Sequence, residues 1–217
     1  MKILTQYKKN FNKTKEETMT LESYLKKLKT DKSLYSSPYE RLLKAIGKPE
    51  LVNTSSDSKL SRIFGNRTIK IYKTFSEFYG MEDTIGRIVS FLTHASQGLE
   101  ESKQILYLLG PVGSAKSSLA ERLKELMEEN PIYILKHNND RSPLNESPLS
   151  LFDVSQAKEL GVPARILGFK LSPWARKRLN NDDGDLSNFS VSKVYPSQLD
   201  QLAISKTEPG DENNQDI

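Results

Sequence analysis

The stretch "LYLLGPVGSAKSSLAERL", from Leu106 to Leu123, gathers residue types that can do chemistry on phosphate. An apolar run meets Gly110. Pro111, Val112, Gly113, Ser114, Ala115, Lys116, Ser117 and Ser118 follow, and then an amphipathic run begins. The spacing is that of G-x-x-x-x-G-K-[ST], with Ala115 standing where the second glycine of the pattern would be. Such a loop works through its backbone. Successive N–H groups converge on an anion at a helix N-terminus, and glycines let the chain turn tightly beside the phosphates. The lysine, here Lys116, neutralises β- and γ-phosphate oxygens, and the next hydroxyl, here that of Ser117, binds Mg²⁺. ATP and Mg²⁺ are the ligands this pattern implies. An ordinary strand-to-helix turn has no need of a Lys-Ser pair where the helix dipole starts.

Ala115 leaves two cases open. If its position needs φ > 0, alanine costs roughly 1 kcal/mol or more. If it needs only a small side chain in an ordinary region, one methyl is tolerated. A penalty of about 1–2 kcal/mol weakens binding roughly tenfold without abolishing it.

Other catalytic parts are sparse. Phosphoryl transfer calls for an acidic residue at the end of another strand. The nearest candidate is Asp153 in "LSLFD", embedded in a Pro-rich loop, where a capping aspartate is the commoner reading. The glycine-rich loop, H-R-D and D-F-G of eukaryotic protein kinases are absent from the sequence. With no cysteine and only His94 and His137, far apart, thiol chemistry and Cys-ligated metals are excluded and a histidine metal site is not expected.

The loop needs a strand before it and a helix after it. Gln104–Leu109 reads as a short strand, and Ser117–Glu129 as a helix with Leu119, Leu123, Leu126 and Met127 on one side. "IYILKH" (132–137) reads as a second strand, so the expected unit is βαβ in a parallel α/β sheet. Upstream, residues 1–47 read as helical. Leu21, Tyr24, Leu25 and Leu28 share a face, and a second helix is capped by Ser37, Pro38 and Glu40 and stopped by Gly47. Residues 48–67 read as turn-rich, 68–72 as a strand, and a helix runs from Asp83 to near Gly98. Downstream, "SPWARKRL" (172–179) is a capped helix, "VSKVYPS" a strand, and "KTEPGDENNQDI" a polar tail.

Bulk properties set the class. The chain has 217 residues, 36% of them hydrophobic and 28% charged, enough for a sizeable core. Lysine and arginine number 32 against 28 acids. A net charge of +4, interleaved with acids, reads as a solvated surface and ranks nucleic acid last among partners. No signal-peptide core or membrane-length apolar run is present, and the expected compartment is the cytoplasm.

Several long stretches carry a family resemblance. "SPYERLLKAIGKPELV", "LSRIFGNRTIKIY", "FSEFYGMEDTI", "ASQGLEESKQILYLLGPVG", "AKSSLAERLK", "SPWARKRL" and "AISKTEPGDENNQDI" resemble the N-terminal part of PrkA-type serine protein kinases, which carry an AAA-type ATPase domain. The resemblance runs over the whole chain. It implies a P-loop NTPase core at 76–217, incomplete relative to the family, behind a small helical region at 1–75. It makes Gly110–Ser118 the ATP phosphate loop, with Lys116 and Ser117 in the roles above, and Tyr79, Gly80 and Met81 adenine contacts. The family's acidic strand, sensor and arginine-finger elements and C-terminal domain have no counterpart here. The expectation is an ATP-binding portion, catalytically incomplete alone, from a split gene, a truncated copy or an excised piece. It leaves open a kinase, with a protein substrate, or an ATP-driven remodelling machine, with side-by-side AAA packing in either case. The alternative is a non-enzymatic fragment that binds a full-length paralogue or a second half-protein.

Overall fold

The computed structural model describes residues 2–198. Two buried clusters organise the chain. The first gathers Leu21, Tyr24 and Leu28 with Leu135, Leu149 and Val191 among others, so it joins an early segment to the C-terminal half. The second gathers Leu42, Ile46, Phe75, Ile88, Leu119 and Leu126 among others.

Helix α1 (Lys2–Thr14) leads to strand β1 (Glu17–Thr20) and helix α2 (Leu21–Leu28). The 1–47 region is therefore not helical throughout. Glu17–Thr20 has no apolar alternation of its own. It becomes a strand because it pairs antiparallel with β6 (Phe189–Val194), Glu17 opposite Lys193. The expected face of α2 is the buried one, and the Tyr24 hydroxyl donates to Leu34 O at 3.0 Å, holding the 32–35 turn. Helix α3 (Pro38–Ile46) has the ends its residues call for. Ser37 Oγ accepts from Glu40 N, the Glu40 carboxylate accepts from Ser37 N, and Gly47 ends the helix at φ 78°.

The 48–67 segment carries more structure than its turn residues suggest. Strand β2 (Glu50–Asn53) pairs with β3 (Thr68–Ile71), and α4 (Ser58–Phe64), capped by Asp57, fills the connection. Helix α5 (Glu82–Ser96) buries Ile85, Ile88, Val89 and Leu92. Helix α6 (Lys116–Glu128) follows the glycine-rich loop, buries Leu119, Leu123 and Leu126, and leads into β4 (Ile132–His137). Two-residue β5 (Asp140–Arg141), α7 (Ala157–Leu160) and α8 (Pro173–Asn181) precede β6. Ser172 caps α8 through Ala175 N, with Pro173 at its first position as read.

The sheet departs from the expected parallel βαβ unit. Its order is β1-β6-β4-β5, and every pairing is antiparallel. Gln104–Leu109 is not a strand. The cause lies in pairing. Beyond His137 the chain reverses through Asn138, at φ 51°, so β4 turns back into β5 and takes β6 along its other edge. The 104–109 segment keeps the alternation that suggested a strand. Leu106 and Leu108 pack on the second cluster, while Ile105, Tyr107 and Leu109 are exposed. A strand also needs a ladder partner, and among the described residues none lies beside it. The polar tail beginning at Lys206 lies outside the described residues.

Candidate functional site

The glycine-rich loop sits on the N-terminus of α6, and the second cluster fixes it from the helix side. Leu119 and Leu126 are fully buried. Arg122 Nε donates to Thr74 O at 2.9 Å and Nη1 to Glu125 at 2.8 Å, and Thr74 Oγ1 donates to Ile46 O at 3.1 Å. These bonds tie α6 to the 73–75 turn and that turn to α3.

Within the loop, Gly113 has φ 82° and Ala115 has φ 56°, ψ 19°. Both lie in the left-handed region, and of the two cases for Ala115 the strained one holds. At Gly110 a side chain would displace the Ser114 hydroxyl. A Cβ there would stand 2.8 Å from Ser114 Oγ. The first helical bond runs from Leu119 N to Ala115 O at 2.9 Å, so the amides of Lys116, Ser117 and Ser118 precede the ladder. No side chain caps this terminus, and the first turn holds no acidic residue. The helix end keeps its positive character.

Lys116 folds back over the loop. Its Nζ donates to Gly110 O at 2.8 Å, Pro111 O at 2.6 Å and Ser114 Oγ at 3.0 Å. An ammonium has three protons, and all three are engaged. Lys116 therefore both closes the loop and places its charge at its centre. The sequence signalled the charge, and nothing in it signalled the two carbonyl acceptors. Ser117, Ser118, Pro111 and Val112 are exposed and Ser114 is half-buried.

Of the remaining expected contacts, Met81 alone packs on the second cluster among the described residues. Leu106, Leu108 and Ala115 pack there too. Gly80 takes φ 80° in the turn into α5, and Tyr79 is exposed. Next to them, Glu82 carries a buried carboxylate oxygen without a hydrogen-bond partner among the described residues, a feature no local pattern signals.

Other polar groups are structural. Asp153 forms a capping box with Gln156, whose Oε1 accepts from Asp153 N at 2.9 Å. His94 Nδ1 lies 3.0 Å from Glu101 on the surface. His137 Nε2 lies 2.8 Å from Asp182 Oδ2, a pair brought together by the fold alone. That contact holds the Asp182 carboxyl below its usual range, with Asn188 adding a second bond. Glu146 gathers three serines: Ser142 Oγ at 2.9 Å, Ser172 Oγ at 2.6 Å and Ser150 Oγ at 3.5 Å. Among the described residues no group of three or more His, Asp or Glu could hold a metal ion, and no helix is long and apolar enough to cross a membrane. A Mg²⁺ ion here would rest on Ser117 and on oxygens brought by the nucleotide.

The PrkA AAA domain family matches residues 19–217. Along its whole length the chain is 54% identical to the serine/threonine kinase YeaG of Escherichia coli strain K12 and covers 34% of it. It is 27% identical, again over its whole length, to the ATP-dependent protease PrkA of Bacillus subtilis strain 168 and covers 33% of that protein. The chain thus spans about a third of the length of the curated relatives it matches. No solved structure matches it. With nearly all of its residues inside the family match, the chain belongs to the PrkA AAA domain family.

Proposed function

We propose that this chain is the ATP-binding portion of a PrkA-type serine/threonine kinase with an AAA-type ATPase domain, and that Gly110–Ser118 cradles the nucleotide's phosphates. The observation that carries the reading is Lys116 held at the centre of the loop, over an uncapped helix N-terminus with no acidic residue in its first turn. Bound phosphate oxygens replace Gly110 O and Pro111 O as acceptors for Lys116. The amides of Lys116–Ser118 are free of the helical ladder and turn to the same oxygens. The Ser117 hydroxyl would help hold Mg²⁺, which supplies charge neutralisation between phosphates when bound. Tyr79 and Met81 flank the base.

One relative bears a kinase's name and the other that of an ATP-dependent protease. The activities differ, and use of a nucleoside triphosphate is common to both kinds of chemistry. The whole protein acts on a protein substrate and assembles by AAA-type packing in the cytoplasm.

The test is titration with a fluorescent ATP analogue, with and without Mg²⁺, of the chain and of Lys116→Ala and Ser117→Ala. Saturable binding is expected, lost in Lys116→Ala and made insensitive to Mg²⁺ in Ser117→Ala. A folded chain with no saturable binding, or with binding unchanged in Lys116→Ala, overturns the proposal.

A further inference from the structure

A cavity of about 720 Å³ lies away from the glycine-rich loop, in the seam between the two buried clusters. Tyr35, Tyr133 and Ile166 line it from the first cluster and Tyr39 from the second, with buried Ala95 of α5 beside them. Its size falls within the range of small-molecule sites, and junctions between packed units are where such sites occur.

Its charges are unequally matched. Arg165 is engaged: Nη1 donates to Ser96 O at 2.9 Å, and Nη2 lies 3.5 Å from Glu40, whose carboxylate also closes the α3 capping box. Arg41, from the first turns of α3, is not engaged. Its Nε is shut off from solvent, and its guanidinium has neither a hydrogen bond nor an ion pair among the described residues. Burial pushes the Arg41 guanidinium below its ordinary range. Arg41 is half-buried, and a shielded guanidinium N–H without an acceptor works against the fold. The backbone beside it is fully used, with Asn130 Nδ2 donating to Arg41 O at 3.2 Å and Arg41 N to Ser37 O. Among the described residues lining the cavity, Arg41 and Arg165 are the cations, and Arg41 is the one without a hydrogen bond or ion pair for its side chain. Tyr35, Tyr39, Tyr133 and Phe169 line the same cavity.

We propose that this cavity binds a small molecule with a flat apolar body and a single oxyanion, carboxylate or phosphate, held by Arg41 and stacked among Tyr35, Tyr39 and Tyr133. The site is separate from the phosphate loop, and the inference stands whether or not the loop binds ATP.

Three probes sharing one ring test it: 2-naphthoate, 2-naphthyl phosphate and neutral 2-naphthol, each titrated into the full chain by calorimetry. At least one oxyanion is expected to bind tenfold or more tighter than 2-naphthol, and which one binds identifies the head group. Excess ATP with Mg²⁺ is expected not to displace it. Arg41→Met should erase the preference for the oxyanion, keep the melting temperature of the parent or raise it, and leave ATP-analogue binding within twofold. Should Arg41→Met fail to fold, Arg41→Lys, which keeps the charge but not the planar fork, is expected to weaken the oxyanion several-fold. Ser36→Trp, which fills the cavity, is expected to block it. Equal affinity for the neutral probe, absence of oxyanion binding, displacement by ATP, or retention of binding in Ser36→Trp or of the preference in Arg41→Met overturns the proposal.

Discussion

Substitution at Ala115 tests how a loop can depart from the glycine pattern and keep its shape. Three effects set the outcome of Ala115→Gly. Alanine at φ 56°, ψ 19° carries the cost of a left-handed L-residue, about 1–2 kcal/mol, which glycine relieves. Glycine brings back about 0.5–1 kcal/mol through the greater freedom of the unfolded chain. The Ala115 methyl is half-buried against the second cluster, and losing it costs about 0.4 kcal/mol, half the value of a fully buried CH₂ group. The sum lies within about 1 kcal/mol of zero, a shift of no more than about 4 °C in melting temperature for a chain of this size.

Ala115→Val has a different balance. A β-branched residue at this φ adds steric conflict that nothing offsets, and a loss of about 2 kcal/mol or more is expected. The assay is thermal and urea denaturation of the three chains, with ATP-analogue affinity measured beside it. Gly and Ala should lie close together, with Val well below. A gain above about 2 kcal/mol for Ala115→Gly would mean that strain dominates and the methyl contributes nothing. A valine variant as stable as the parent would refute the left-handed geometry and with it the account of the loop.

Four further outcomes follow from named contacts. Gly110→Ala must push Ser114 Oγ off its position 2.8 Å from the new Cβ, breaking the Ser114–Lys116 bond, so ATP-analogue affinity should fall while the melting temperature changes little. Glu146→Ala strands the hydroxyls of buried Ser142 and Ser172 and should cost about 3 kcal/mol in urea denaturation. Asp182 has a folded pKa below its unfolded value, so its stabilisation is present above an ordinary carboxyl pKa of about 4 and is lost as pH falls through the lower folded value; Asp182→Asn should therefore lose stability at pH 7 and converge with the parent in strong acid. In hydrogen exchange, the amides of 105–109, which join no ladder, should exchange far faster than those of Leu119–Leu126.

The uneven support of the loop also marks where sequence reasoning stopped. Helix ends were legible because capping is local. Ser37, Pro38, Glu40 and Gly47 specify α3 within ten residues, and Ser172 with Pro173 specifies the start of α8. The sheet was not legible. Its edges come from ladders between positions more than 50 and more than 170 residues apart, Ile132 with Val194 and Glu17 with Lys193, and "ETMT" carries no sign of its partner. The glycine-rich loop falls between these cases. Its residue types announce a phosphate cradle, and the left-handed turn at Ala115 and the closing bonds of Lys116 emerge only once α6 is seated. On that side the cradle rests on the fully buried Leu119 and Leu126 and on Arg122. On the other side it rests on the packing of Leu106 and Leu108 and on the Lys116 bonds to Gly110 O and Pro111 O, with Ile105 and Tyr107 facing outward at 90% and 75% exposure. An alternating segment supplies the side chains of a strand but not its neighbour, and rigidity comes from the neighbour. The helix end of the loop is therefore fixed by packing and hydrogen bonds, and under the proposed function the order of 104–109 sets how tightly a nucleotide is held.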